Sequence, residues 1–165
     1  MNKIFMMMQR CCYIVIPFFI ITLTLFINLI PFDIRNLSIL TPLITYCVIY
    51  FFTIRSPEAV PYSLILMIGL LKDILESNVL GISSLCFLLF QMIINSQRKY
   101  IINNTFVMTW GGFVFCLGVI LLITLLLSKF IFNISYLPLY VVSMEWVINV
   151  FLYVPVHWLL SKIRI

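Results

Sequence analysis

Lys72, Asp73 and Glu76 stand together in a chain otherwise almost free of charge, between apolar runs over residues 61–71 and 79–94. A charge near the centre of a bilayer costs about 2.5–3.5 kcal/mol on insertion scales, so charges in such surroundings either sit at an interface or have a task. On a helix, Gly69, Lys72, Asp73 and Glu76 fall at i, i+3, i+4 and i+7, which is one stripe. Gly69 lets a neighbouring helix approach that stripe closely. Lys72 and Glu76 also make an i, i+4 pair, in the weaker of its two orders. Asp73 is open between local capping or pairing and contact with a partner. A second candidate is Glu145, with Asn149 four residues on, about a third of the way into an apolar run. An acid there must find a partner. It is either a protonated or hydrogen-bonded residue of the bundle, or a contact to a partner helix or a transported ligand.

Catalytic constellations find little support. An intramembrane aspartyl dyad needs two carboxylates at one depth to share a proton and activate water. Asp33 and Asp73 are the only aspartates, and both map to turns on the outer side. Phe132-Asn133-Ile134-Ser135 is superficially similar to the lipoprotein signal peptidase motif, but serine stands where the catalytic aspartate is needed. Serine-hydrolase chemistry would have to use His157, which maps to the inner face, away from both aspartates. There is no phosphate-binding glycine loop, and one histidine makes a histidine metal cluster impossible. The five cysteines, Cys11, Cys12, Cys47, Cys86 and Cys116, show no C-x-x-C spacing and read as small apolar fillers. The expectation is therefore a protein that is not an enzyme and has no cofactor or metal. Basic residues account for the formal net charge of +5, but they are scattered at helix ends, which indicates membrane anchoring and not nucleic acid.

The elements that must position these residues follow from composition. The chain is 64% hydrophobic and 9% charged, against about 25% charged in soluble domains, so it reads as an integral membrane protein. Each spanning helix takes about 20 residues, so six spans nearly fill the 165 residues as a single membrane domain. The spans expected are approximately 11–31, 37–54, 61–75, 79–96, 106–128 and 137–160. The first resembles a signal peptide at its start but has too long an apolar run and no A-x-A site, so it should stay attached. Pro31-Phe32-Asp33 ends it. The third span ends near Glu76, with a turn at Ser77-Asn78. Ser84, Gln91 and Asn95 lie near one face of the fourth, which should point into the bundle. Trp110 fits an interface anchor near the start of the fifth. With the N-terminus inside, inner segments hold Lys3, Arg10, Arg55, Arg98, Lys99, Lys162 and Arg164, and outer ones hold Arg35, Lys72 and Lys129. That asymmetry places both termini in the cytoplasm.

The central stretch resembles the MreD family. The residues carrying the resemblance are Gly69-Leu70-Leu71-Lys72-Asp73-Ile74-Leu75, then Leu80-Gly81, similar to the family's G-L-x-x-D-x-L followed by L-G. Pro57, Glu58 and Pro61 resemble a proline-acid pair and second proline before the third span. Ser96-Gln97-Arg98 resembles a basic loop after the fourth, and Phe106, Trp110, Gly112 and Phe113 resemble the start of the fifth. Ser56 separates Arg55 from Pro57, where the family would have arginine next to proline. The match covers roughly residues 42–128. The resemblance implies a multi-pass protein of the bacterial cytoplasmic (inner) membrane that binds MreC, a protein with a periplasmic coiled coil. It also implies work with the actin-like MreB, RodA and a penicillin-binding transpeptidase during lateral wall growth. It further implies a six-helix arrangement similar to the substrate-binding subunits of energy-coupling-factor transporters.

Two functions therefore stand. One is a non-catalytic scaffold subunit of the elongation machinery, in which Asp73 and its stripe, with Gly81, help form a partner surface or hold the bundle. The other is a vitamin or micronutrient binding subunit, in which Asn28, Gln91, Glu145 and Asn149 line a cavity. The polar groups are few and spread over several depths, which favours the scaffold.

Overall fold

The computed structural model of the chain describes residues 2–28, 44–76, 80–101, 106–132 and 139–162, with side chains over 15–28, 44–76, 80–100, 106–127 and 143–162. Asp33, Arg35, the Ser77-Asn78 turn, Asn133 to Ser135 and the first part of the second expected span lie outside them. The described residues form six α-helices and no strand: α1 (Asn2–Asn28), α2 (Ile44–Arg55), α3 (Tyr62–Leu75), α4 (Ile82–Ile101), α5 (Phe106–Phe132) and α6 (Leu139–Ser161). A single 3-10 turn, Pro57–Ala59, joins α2 to α3.

Two bounds differ most from those read from hydropathy. α1 begins at Asn2, not at residue 11, because Met6, Met7, Met8, Gln9 and Arg10 are unbranched helix formers with no glycine or proline among them. α4 continues to Ile101, because Gln97, Arg98 and Lys99 also favour helix, and Arg98 and Lys99 suit the negative end of the helix dipole. Apolarity marks where a helix can be buried, not where its backbone stops.

α2 is the axis of the fold. Nine consecutive residues, Thr45 through Thr53, are buried. A helix apolar all round has to be surrounded. α1, α4 and α6 pack directly on it, and α5 touches it more lightly. α3 lies outside this group, against α4 and, to a lesser degree, α1. An aromatic cluster fills the centre. Tyr50 of α2 meets Phe113 of α5 edge-on at 5.1 Å and Tyr153 of α6 at 5.6 Å, and Phe113 stacks on Tyr153 at 4.4 Å. Tyr46 is edge-on to Phe87 and Phe90 of α4. Such pairs contribute about 0.5–1.5 kcal/mol each beyond their buried area. The Tyr50 hydroxyl donates to the Thr109 carbonyl at 2.7 Å, which satisfies its polar end inside the core.

α5 and α6 are clasped by two indoles facing opposite ways. Trp110 Nε1 of α5 donates to the Val150 carbonyl of α6 at 3.3 Å, and Trp146 Nε1 of α6 donates to the Val114 carbonyl of α5 at 3.4 Å. Trp110 is half-buried. It acts as a helix-helix contact, whereas its position near a helix start suggested an interface anchor. Trp110→Phe should therefore lower stability by about 1 kcal/mol, the net value of one such bond. Thermal unfolding in detergent measures it; an unchanged midpoint would return Trp110 to the anchoring role.

Phe106–Leu127 and Ser143–Ser161 are each long and apolar enough to cross a membrane. Only 28% and 22% of these windows are buried within the chain. Leu122, Leu126, Phe151 and Leu159 therefore face outward, an arrangement that lipid tolerates and water opposes. α3 has 14 residues, about 21 Å of helix, against a hydrocarbon core of about 30 Å.

Candidate functional site

The charged stripe of α3 is turned towards α4 of the same chain, and the two helices form a hairpin. Pro61 sets its entry. Its extended backbone (φ −66°, ψ 155°) precedes the first turn of α3, and its carbonyl accepts from Leu64 and Ile65 at 3.0 and 3.3 Å. Proline is pre-set for this place, since its fixed φ costs nothing and no donor is needed there. The start of α4 is less ordinary. Gly81 has φ +102°, a conformation that favours glycine, and its carbonyl accepts the first helical bond, from Leu85 at 2.9 Å. Gly81 is thus the N-cap of α4 but has no side chain with which to cap.

Asp73 supplies the missing cap from the neighbouring helix. Its Oδ2 accepts the Gly81 N–H at 2.7 Å and its Oδ1 accepts the Ser83 N–H at 3.1 Å. The first amides of a helix have no partner within it, and a carboxylate there is favoured by both the bonds and the helix dipole. Asp73 is 0% exposed, so no outside partner reaches its carboxylate. Gly69 explains how α3 comes near enough. A Cβ there would collide with the Ser84 backbone, lying 2.8 Å from its amide nitrogen. Gly69, Asp73 and Gly81 therefore form one device: a close approach, a cap, and the backbone turn that receives it.

Lys72 and Glu76 flank this device. Lys72 Nζ lies 3.7 Å from Glu76 Oε2 and 5.6 Å from the centroid of the Phe87 ring. Both side chains are partly exposed, and pairs of this kind contribute about 0–1 kcal/mol. Glu76 also ends α3, its amide donating to the Lys72 carbonyl at 2.9 Å.

The polar face of α4 completes the hairpin. Gln91 Nε2 donates to the Val60 carbonyl at 2.5 Å, Asn95 Nδ2 to the Tyr62 hydroxyl at 2.8 Å, and Ser84 Oγ makes a long bond to the Leu66 carbonyl at 3.4 Å. Ser84 and Gln91 are buried and Asn95 is half-buried. All three reach α3 or its entry. Pro57 opens the 3-10 turn and its carbonyl accepts from Val60 at 3.3 Å, while Glu58 is exposed on the turn. Pro57, Pro61 and Gln91 thus shape one connection.

Glu145 and Asn149 sit elsewhere, on α6. Asn149 is fully buried and its Nδ2 donates to the backbone carbonyl of Glu145 at 2.7 Å, so this contact does not involve the Glu145 carboxylate. Glu145 is half-buried. Phe113 belongs to the aromatic core and Gly112 is half-buried beside it. A cavity of about 290 Å³ opens near the Arg55 end of α2, and Arg98, Tyr153 and His157 are among its lining residues. Glu145 is not among them. No spacing in the sequence points to this cavity, because its walls come from four separate helices. The clasp of Trp146 on α5 is equally hidden in the sequence, although Gly118, whose added Cβ would meet Trp146 Nε1 at 3.5 Å, is a trace of it.

The family model described as rod shape-determining protein MreD matches residues 8–163 of the chain. No curated protein and no solved structure matches it.

Proposed function

Since the chain belongs to the MreD family of rod shape-determining membrane proteins, we propose that it is a non-catalytic scaffold of the wall-elongation machinery. It spans the bacterial cytoplasmic membrane six times with both termini inside, binds MreC, and helps couple MreB filaments to RodA and a penicillin-binding transpeptidase. The observation carrying this reading is the family match over nearly the whole chain. The use of the polar groups supports it. Asp73, Gln91 and Asn149, and Asn28 through its bond to Thr45 at 2.7 Å, hold helices or turns of the chain itself. Each of these bonds is made within the chain, whereas the groups of a vitamin-binding pocket turn their bonds to a ligand.

A buried Asp73 contributes to partner binding through shape. By fixing α3 on α4, it sets the outward face on which Met67 and Ile74 are exposed. Complementation tests the function. Depleting the protein should round the cells and remove sidewall incorporation of a fluorescent D-amino acid, and the wild-type chain should restore both. Glu145→Gln should restore them too, since it keeps the size and polarity of a side chain read as structural. Rods of normal width after depletion would overturn the proposed role. Round cells with Glu145→Gln at normal protein level would make Glu145 a charged contact.

A further inference from the structure

The end of the bundle opposite the hairpin turn holds the cavity of about 290 Å³. Arg55 at the end of α2, Arg98 near the end of α4, Thr109 in the first turns of α5, and Tyr153 and His157 near the end of α6 all line it. Arg98 gives one donor to the chain, its Nε bonding the Ile54 carbonyl at 3.2 Å, and keeps the rest of its guanidinium. Arg55 is exposed, with its guanidinium 5.8 Å from the centroid of the Phe51 ring. Tyr153 is 0% exposed, and its hydroxyl is buried with no hydrogen-bond partner. A buried hydroxyl is costly unless it is bonded, so an orphan donor in the wall of a cavity marks where an acceptor is missing.

Two guanidiniums, an imidazole and an unused hydroxyl in one concavity suit a tetrahedral oxyanion, which guanidinium groups bind bidentately. The surroundings indicate its source. Phe106, whose ring lies 5.0 Å from that of His157, is exposed, as are Val107 and Trp158, and Lys162 Nζ lies 3.8 Å from the centroid of the Trp158 ring. Aromatic and basic side chains together are what a helix end at the headgroup level carries. Glu58, on the 3-10 turn after α2, is the acid nearest in sequence to Arg55, and it is exposed. We propose that this cavity binds the phosphate of an anionic phospholipid from the leaflet at that end of the bundle. Bound lipid would tie α2, α4, α5 and α6 together at the face where basic side chains gather.

The test uses the full chain, purified in detergent and stripped of lipid, with retained lipid read by native mass spectrometry and the unfolding temperature read in parallel. Phosphatidylglycerol should be retained one to one and raise the unfolding temperature, and phosphatidylcholine should do neither. Arg55→Gln should weaken retention at least tenfold, and Lys99→Gln, a loss of the same charge outside the cavity, should change it less than twofold. Tyr153→Phe should weaken retention severalfold while leaving the stripped protein as stable as before or more so, a pairing that a purely structural tyrosine would not give. Equal retention of both lipids, or equal losses in Arg55→Gln and Lys99→Gln, would overturn the proposal. So would binding of inorganic phosphate without phosphatidylglycerol, which would make the site one for the free anion. Binding of neither, with phenylglyoxal modification of Arg55 blocked by a co-purified protein, would assign the cavity to an acidic protein segment.

Discussion

Replacing Gly69 by alanine is expected to destabilise the protein, although alanine is the better helix former by about 1 kcal/mol. The contact decides the sign. Even the single added Cβ would meet the Ser84 backbone, and a backbone cannot turn aside as a flexible side chain can. The helices must part, which loosens the Asp73 cap as well. Overpacking typically costs about 1–3 kcal/mol, and a collision with backbone belongs at the upper end, so Gly69→Ala should lose about 2 kcal/mol net of the helix gain and Gly69→Val about 3 kcal/mol. Thermal unfolding in detergent or nanodiscs orders the series as Gly, Ala, Val from most to least stable. An alanine variant at or above the wild type would mean that α3 and α4 are further apart than described.

Asp73→Ala should cost about 3 kcal/mol, because it leaves the Gly81 and Ser83 amides without acceptors at a buried helix start. Asp73→Asn keeps a carbonyl oxygen but loses the charge on the helix dipole, so it should fall between the two. Both variants should insert in the membrane, and both should lower partner association in step with the fraction of folded hairpin. Amide hydrogen exchange in the first turn of α4 separates this from a direct contact. Faster exchange there in Asp73→Ala is expected. Unchanged exchange with lost MreC binding would place the carboxylate in the partner interface.

The hairpin shows what one chain of letters carries and what it omits. The i, i+3, i+4, i+7 spacing of Gly69, Lys72, Asp73 and Glu76 is a property of one helix, and it fixed their shared stripe. It could not name the stripe's neighbour. A small residue beside a buried acid reads the same whether α4 or another protein lies against it, so spacing alone leaves Asp73 open between cap and partner. Gly81, eight residues beyond Asp73, was visible as part of a motif. Its reason is the positive φ, which no spacing reveals. The polar face of Ser84, Gln91 and Asn95 was legible because unpaired amides and hydroxyls are costly in apolar surroundings. The clasp made by Trp110 is not legible, because a tryptophan that anchors near a helix start and one that also bonds a neighbouring helix have identical neighbours in sequence. The cavity was wholly hidden, because Arg55, Arg98, Thr109 and His157 lie on four helices and no periodicity joins them.

Co-purification bears most directly on the scaffold role. The tagged protein would be drawn from its native membrane in mild detergent, and its protein partners and bound small molecules identified by mass spectrometry. Recovery of MreC with other wall-elongation proteins is the expected result. Recovery instead of an ATPase pair with a membrane coupling subunit, or of a tightly held vitamin, would contradict the scaffold and make the chain a transporter's binding subunit.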